Sequence, residues 1–138
     1  MVKRLLFTLL FMSSVVMYGQ NEGMMTSVET TPLFIGDLKA FIQSNISYPK
    51  TAIDDSIEGI VIVELWIDTT GNTFGHNIIK SIREDIDEEA LRVASLIKFA
   101  TPAKQRGVPI VVRYLVPVRF SLATVQKRIN NQSNPNSK

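Results

Sequence analysis

Residues Ile60 to Asp68 alternate with a period of two and are apolar on nearly both sides. Val61, Val63, Leu65 and Ile67 line one face; Ile60, Ile62 and Trp66, with Glu64 among them, line the other. A β-branched run of this kind reads as the central strand of a sheet, flanked on both edges and covered on at least one face. Everything around it has to supply those neighbours. Asp68-Thr69-Thr70-Gly71-Asn72 has the composition of a turn, so Thr73 to Ile82 is expected to fold back as an antiparallel partner, with Gly75 marking a bulge. Ile110 to Leu122 supplies a third strand, its even positions Ile110, Val112, Tyr114, Val116, Val118 and Phe120 all apolar. Pro117 lies within it, and a proline cannot donate to ladders on both sides, so this strand is expected at an edge.

Two helices complete the set. Asp37 is a candidate cap for a first helix with Leu38, Phe41, Ile42 and Ile46 on one face. Tyr48-Pro49 ends it, because the residue before proline is pushed out of the α region, and a short helical turn is expected over Lys50 to Asp54. Asp87 is read as the cap of the second helix, with Glu88 and Glu89 in its first turn, where the helix dipole favours negative charge. Ile86 is placed to staple onto Leu91, and Ala90, Leu91, Ala94 and Ile97 form the buried stripe as far as Phe99. The fold class is therefore α+β: a two-layer sandwich of a three-stranded antiparallel sheet with two helices on one face. The other face, with Trp66, Ile60 and Ile62, has no obvious cover and is read as packed by flanking segments or as a contact surface.

The segments outside the fold carry a different chemistry. Lys3-Arg4 followed by the apolar run from Leu5 to Tyr18 reads as an export signal over residues 1–19. As a helix that run spans only about 21 Å, against roughly 30 Å of bilayer hydrocarbon. The alternative is an uncleaved anchor that keeps the chain on the inner membrane, facing the periplasm. Residues 20–31 read as a polar leader with an extended reach of roughly 40 Å. The folded domain is expected over 32–122, and residues 123–138, ending in an Asn-, Ser- and Pro-rich stretch, as a disordered tail.

Of the 15 lysines and arginines against 13 acidic residues, Lys3 and Arg4 are the entire surplus, so the exported domain has no net charge. That argues against a nucleic-acid partner, which calls for a basic stripe. The absence of cysteine excludes disulfides, thiol catalysis and attachment through a lipidated cysteine.

No catalytic constellation is present, and the chain is expected not to be an enzyme. His76 stands alone, without the spaced ligands of a metal site, and reads as a satisfied strand residue. Asp54, Asp55 and Glu58 read as a solvated turn. The acidic run Glu84-Asp85-Asp87-Glu88-Glu89 lacks the alternating oxygens and glycine of a calcium loop. Asp68-Thr69-Thr70-Gly71 misses an Asp-Thr-Gly motif by one threonine, no serine sits in a Gly-x-Ser-x-Gly elbow, and no glycine cluster cradles phosphate. Neither a metal nor a cofactor is expected, and a hydrolase is the enzyme alternative.

From Phe41 onward the chain resembles the C-terminal domain of TonB-family energy transducers. The resemblance rests on Tyr48-Pro49-Lys50-Thr51-Ala52, Glu58-Gly59-Ile60-Val61, Ile67-Asp68, Asp87-Glu88-Glu89-Ala90-Leu91, Pro102-Ala103-Lys104-Gln105, Gly107, Pro109 and Tyr114-Leu115-Val116-Pro117-Val118-Arg119-Phe120, in that order. Phe99 stands where relatives commonly have tryptophan, and His76 where an aliphatic residue is usual. The resemblance implies the same two-helix, three-strand fold and a periplasmic location. It also implies that the domain binds a short extended peptide, the TonB box of an outer-membrane transporter, and passes on force from the inner-membrane proton gradient. It implies β-augmentation at the free edge of the last strand. If Pro117 points its nitrogen outward, Val111, Arg113 and Leu115 share that outward side, and pairing runs along Val111 to Leu115 and stalls at Pro117. Arg113 reads either as a solvated arginine or as the partner of an acidic guest residue. The partner implied is an outer-membrane transporter or another envelope protein. A homodimer through the same edge or the Trp66 face is the alternative.

Overall fold

The computed structural model describes residues 28–133, so the expected signal over 1–19 and most of the leader lie outside the described residues. A three-stranded antiparallel sheet is built from β1 (Gly59–Ile67), β2 (Thr73–Lys80) and β5 (Val112–Phe120), in the spatial order β2-β1-β5. β1 is central and β5 is an edge strand, as its proline requires. Helices α1 (Leu38–Asn45) and α3 (Glu84–Ser95), with the short α2 (Lys50–Asp54) between α1 and β1 in the chain, supply the second layer. The class is α+β, as the periodicities indicate.

The core lies between these layers. Val61, Val63, Leu65 and Ile67 of β1 and Val116, Val118 and Phe120 of β5 meet Ile42 of α1 and Ile86, Ala90, Val93 and Ala94 of α3, all of them buried. An aromatic cluster closes one end. Phe34 packs on Phe41 at 5.2 Å between ring centroids and meets Phe99 edge-on at 6.2 Å, and Phe99 meets Tyr114 at 5.4 Å. At the other end Tyr48 meets Phe120 edge-on at 5.5 Å, and its hydroxyl donates to the Ile57 carbonyl.

Local chemistry fixes the boundaries. The Asp37 carboxylate accepts from the amides of Lys39 and Ala40 at 2.8 and 3.2 Å and so caps α1. In the β1–β2 turn, the Asp68 carboxylate accepts from the Thr70 and Asn72 amides and the Thr70 hydroxyl. Those donors favour the charged form and hold this carboxyl below its ordinary value. The β1–β2 pairing shifts register twice, once around Gly75, which sits at φ +61, and once around Ile79.

Three expectations need correcting. The second helix begins a full turn before Asp87: α3 starts at Glu84, with Asp87 inside it. The Asp87 carboxylate reaches back to the Ile82 amide at 3.0 Å and to the Ser81 hydroxyl, so it caps from within, in the manner of the acidic arm of a capping box. Ile86 is accordingly buried in the core and is not a staple.

The last strand is shorter than its alternation suggests. Ala103–Gln105 (β3) and Val108–Ile110 (β4) form a hairpin of their own, closed by Arg106 and Gly107 at φ +51 and +74. Two consecutive residues in the left-handed region make the tight hairpin connection that matches strand twist. The chain then breaks at Val111 before entering β5.

The disordered tail expected over 123–138 is, as far as Ser133, a helix, α4 (Leu122–Ser133); residues 134–138 lie outside the described residues. Its first amide donates to the Glu58 carboxylate at 2.6 Å. Arg128 donates to the carbonyls of Gln43 and, at 2.8 Å, Ile46. These are carbonyls at the end of α1, where a helix lacks its own donors and favours a cation. The end of the leader also touches the domain, Thr30 exchanging backbone hydrogen bonds with Lys104 at 3.0 and 3.2 Å; just inside the domain, Leu33 donates to Thr101 at 3.1 Å.

Gly71 offers a direct test. It sits at φ +89, and a Cβ there would lie 2.3 Å from the Phe99 carbonyl oxygen, while its own carbonyl accepts from the Phe99 amide at 2.9 Å. Gly71→Ala should destabilise by about 2–4 kcal/mol. Gly107→Ala, at φ +74 but with nothing within 4 Å, should cost only about 1 kcal/mol. Thermal unfolding of the pair checks the ranking, and equal losses would contradict the close approach.

Candidate functional site: the outer flank of β5

The β1–β5 register runs through nine consecutive pairs, from Gly59↔Phe120 to Ile67↔Val112, without a shift. In an antiparallel ladder, residues alternate between pairs that exchange two hydrogen bonds and pairs that exchange none. Pro117 stands opposite Ile62 and has no N–H to exchange, so theirs is a non-bonded pair. The parity then holds for the whole strand. Val112, Tyr114, Val116, Val118 and Phe120 bond inward to β1, and Arg113, Leu115, Pro117 and Arg119 turn their backbone groups outward. A second observation agrees: the Arg119 carbonyl accepts from the Gln43 side chain at 2.9 Å, away from β1.

Among the described residues this outer flank pairs with no other strand. Arg113 and Leu115 therefore each present an N–H and a C=O, and Pro117 a C=O alone. The sheet's other edge differs. The two register shifts along β2 twist that edge, which is a common way of making an edge a poor template. Of the two edges only β5 is regular.

The flank lies beside a cleft of about 410 Å³, lined by Leu38, Lys39, Ile42 and Gln43 of α1, Ile60 of β1, and Tyr114, Val116, Pro117 and Arg119 of β5. Its charged lining residues, Lys39 and Arg119, are both cations. The cleft thus joins an apolar floor to a row of unpaired backbone groups.

Of the three residues the sequence singles out, Arg113 and Leu115 fall on this flank, with Leu115 about half-exposed. Val111 is exposed at the corner between β4 and β5, one residue outside the strand, so the regular flank starts later than expected. Arg113 is not simply solvated: its guanidinium meets the Glu64 carboxylate at 3.0 Å across the strand pair. With Arg113 mostly exposed, that pair contributes at most about 1 kcal/mol. His76 lies on β2, away from the flank, with its ring nitrogen 3.2 Å from the Thr73 hydroxyl; partial burial lowers its pKa. On the sheet's other face Trp66 and its cross-strand neighbour Phe74 are exposed, whereas Ile60 and Ile62 are half-buried.

Sequence reasoning missed the α1 wall. Lys39 and Gln43 are separated by four residues on the helix, beside the stripe of Leu38 and Ile42. Nothing local links Gln43 to Arg119, 76 residues away.

A profile of the Gram-negative bacterial TonB protein C-terminal family matches residues 44–122. The chain belongs to this family. A curated relative, Protein TonB of Vibrio cholerae serotype O1, is 32% identical over 98 residues, covering 69% of this chain and 39% of that protein. The chain therefore spans well under half of the relative's length. Two solution structures of the Helicobacter pylori TonB C-terminal domain are also similar. One, of residues 194–285, is 28% identical, with a TM-score of 0.49 and coverage of 61% of this chain and 88% of that one. The other, of residues 179–285, is 25% identical, with a TM-score of 0.46 and coverage of 60% and 75%. Among the described residues no helix is long and apolar enough to cross a membrane.

The parity of β5 is measurable by amide exchange. In the free protein the Arg113 and Leu115 amides should exchange at least about 100-fold faster than those of Tyr114 and Val116. Uniform protection along the strand would mean that the flank is occupied.

Proposed function

We propose that this chain is a periplasmic, non-catalytic binding module that takes up an extended peptide of an outer-membrane transporter as an added strand on β5. The observation that carries the reading is the regular, unpaired flank at Arg113, Leu115 and Pro117, set against the cleft under α1. A guest strand there completes main-chain hydrogen bonds, each worth about 1 kcal/mol net. Alternate side chains of the guest enter the cleft between Leu38, Ile42, Tyr114 and Val116. The cations Lys39 and Arg119 favour a guest with no net positive charge. Recognition of this kind reads backbone first and side chains second, which suits a module that meets several transporters.

The reading includes export. Residues 1–19 act as a cleaved signal in this proposal, and the mature protein works in the periplasm. N-terminal sequencing of the protein recovered from its native envelope should begin at Gln20; a first residue of Met1 would mean that the segment stays in place.

Leu115→Pro provides the test of strand addition. Its amide points outward, so the substitution removes a donor from the flank and none from the β1 ladder. Titration with TonB-box peptides from the same organism should shift the Arg113 and Leu115 amides of the wild type. The variant should stay folded and bind about fivefold more weakly. Binding that survives Leu115→Pro unchanged, or shifts confined to the Trp66 face, would overturn the reading.

A further inference from the structure

The flank has a built end, and the C-terminal helix holds it in place. Gln43 lies on the last turn of α1 and donates from its side chain to the Arg119 carbonyl at 2.9 Å. That carbonyl is the outward acceptor a guest strand would reach next after Pro117. Pro117 itself offers no donor, so the ladder weakens there and is capped one pair later. Gln43 is in turn fixed from behind, because Arg128 of α4 donates to the Gln43 main-chain carbonyl and, at 2.8 Å, to that of Ile46. The other end of α4 is tied down by the Glu58 carboxylate on the Leu122 amide at 2.6 Å. A chain of contacts therefore runs from α4 through the end of α1 to the rim of β5.

We propose that Gln43, positioned by Arg128, is a specificity-determining clamp that limits the guest to about five paired residues, those facing Arg113 to Pro117. The inference rests on the strand-addition reading and adds to it a length and a register. A guest running past Pro117 has to displace the Gln43 amide from the Arg119 carbonyl, where one donor is exchanged for another, and the Arg119 N–H is the single new group it gains. A guest of about five residues pairs the free groups of Arg113, Leu115 and Pro117 without disturbing Gln43. The clamp also defines where the guest's end must lie, beside Gln43 and not beside Val111, where the chain turns away into β4. Gln43 touches the guest's terminus; Arg128 does not, and acts by holding the α1 backbone.

The test measures how affinity depends on peptide length. Capped peptides alternating valine and serine, of three, five, seven and nine residues, are titrated against the full chain by calorimetry. For the wild type, affinity should rise from three to five residues and much less steeply beyond. Gln43→Ala frees the Arg119 carbonyl, so the nine-residue peptide should bind three- to tenfold tighter than the five-residue one. Arg128→Ala should give the same preference in smaller measure. If α4 served stability alone, Arg128→Ala would weaken every length equally, which would overturn its assigned role. A wild type that gains as much from five to nine residues as Gln43→Ala does would overturn the clamp and leave strand addition standing. If no length binds, both readings fall together.

Discussion

The unshifted ladder between β1 and β5 is the interaction on which the rest of this domain depends. It runs for nine pairs, and because it never slips, the two faces of the sheet stay distinct throughout. The even residues of β5 deliver Val116, Val118 and Phe120 to the core, where they meet Val61, Val63 and Leu65. The odd residues stay outside. A one-residue slip would exchange these sets and expose the apolar half of the strand. The same regularity gives the outer flank its evenly spaced unpaired groups, so a single register accounts for both the core and the free edge. β2 shows the alternative: its two shifts leave an edge with no continuous row to offer.

How much of this could be read from the residues depends on the range of the interaction. β1 was legible because a run apolar on both faces has few other uses, and β5 was placed at an edge by one missing N–H at Pro117. The Asp37 cap, the stop at Tyr48-Pro49 and the Gly75 bulge are local and followed in the same way. The β3–β4 hairpin was missed because Arg106-Gly107 carries the turn, and Arg is not a residue whose side chain announces a left-handed conformation; Gly107 was the available clue. The start of α3 was misplaced because a carboxylate that caps from inside a helix looks, in sequence, like one that caps from outside.

The tail shows a different limit. Its composition is polar, and composition alone argues for disorder. What orders it is long-range: Arg128 finds the open carbonyls of α1, and Glu58 finds the first amide of α4. Leu122, Val125 and Ile129 do recur at helical spacing, yet no residue of the helix is fully buried. An isolated helix of this length is marginal in water, so α4 draws its order from anchoring at both ends more than from its own propensity. The same holds for Gln43, whose role exists only because α1 and β5 are packed side by side.

An edge that binds through its backbone needs some other means of discrimination, since every peptide carries the same N–H and C=O groups. Side-chain pockets supply part of it, and on the proposed reading the cleft under Leu38 and Ile42 would do so. The position of the ladder's ends supplies the rest. At one end the chain turns away at Val111; at the other, Pro117 withholds a donor and Gln43 occupies an acceptor. Between those ends a five-residue guest would pair every free group of Arg113, Leu115 and Pro117 in one register only, and a shift by two residues would leave some of them unmatched. Each unmatched pair costs about 1 kcal/mol, or roughly fivefold in affinity. On the proposed reading, a flank limited at both ends would convert generic backbone pairing into a preference for one length and one alignment, with no specific side-chain contact from the guest required.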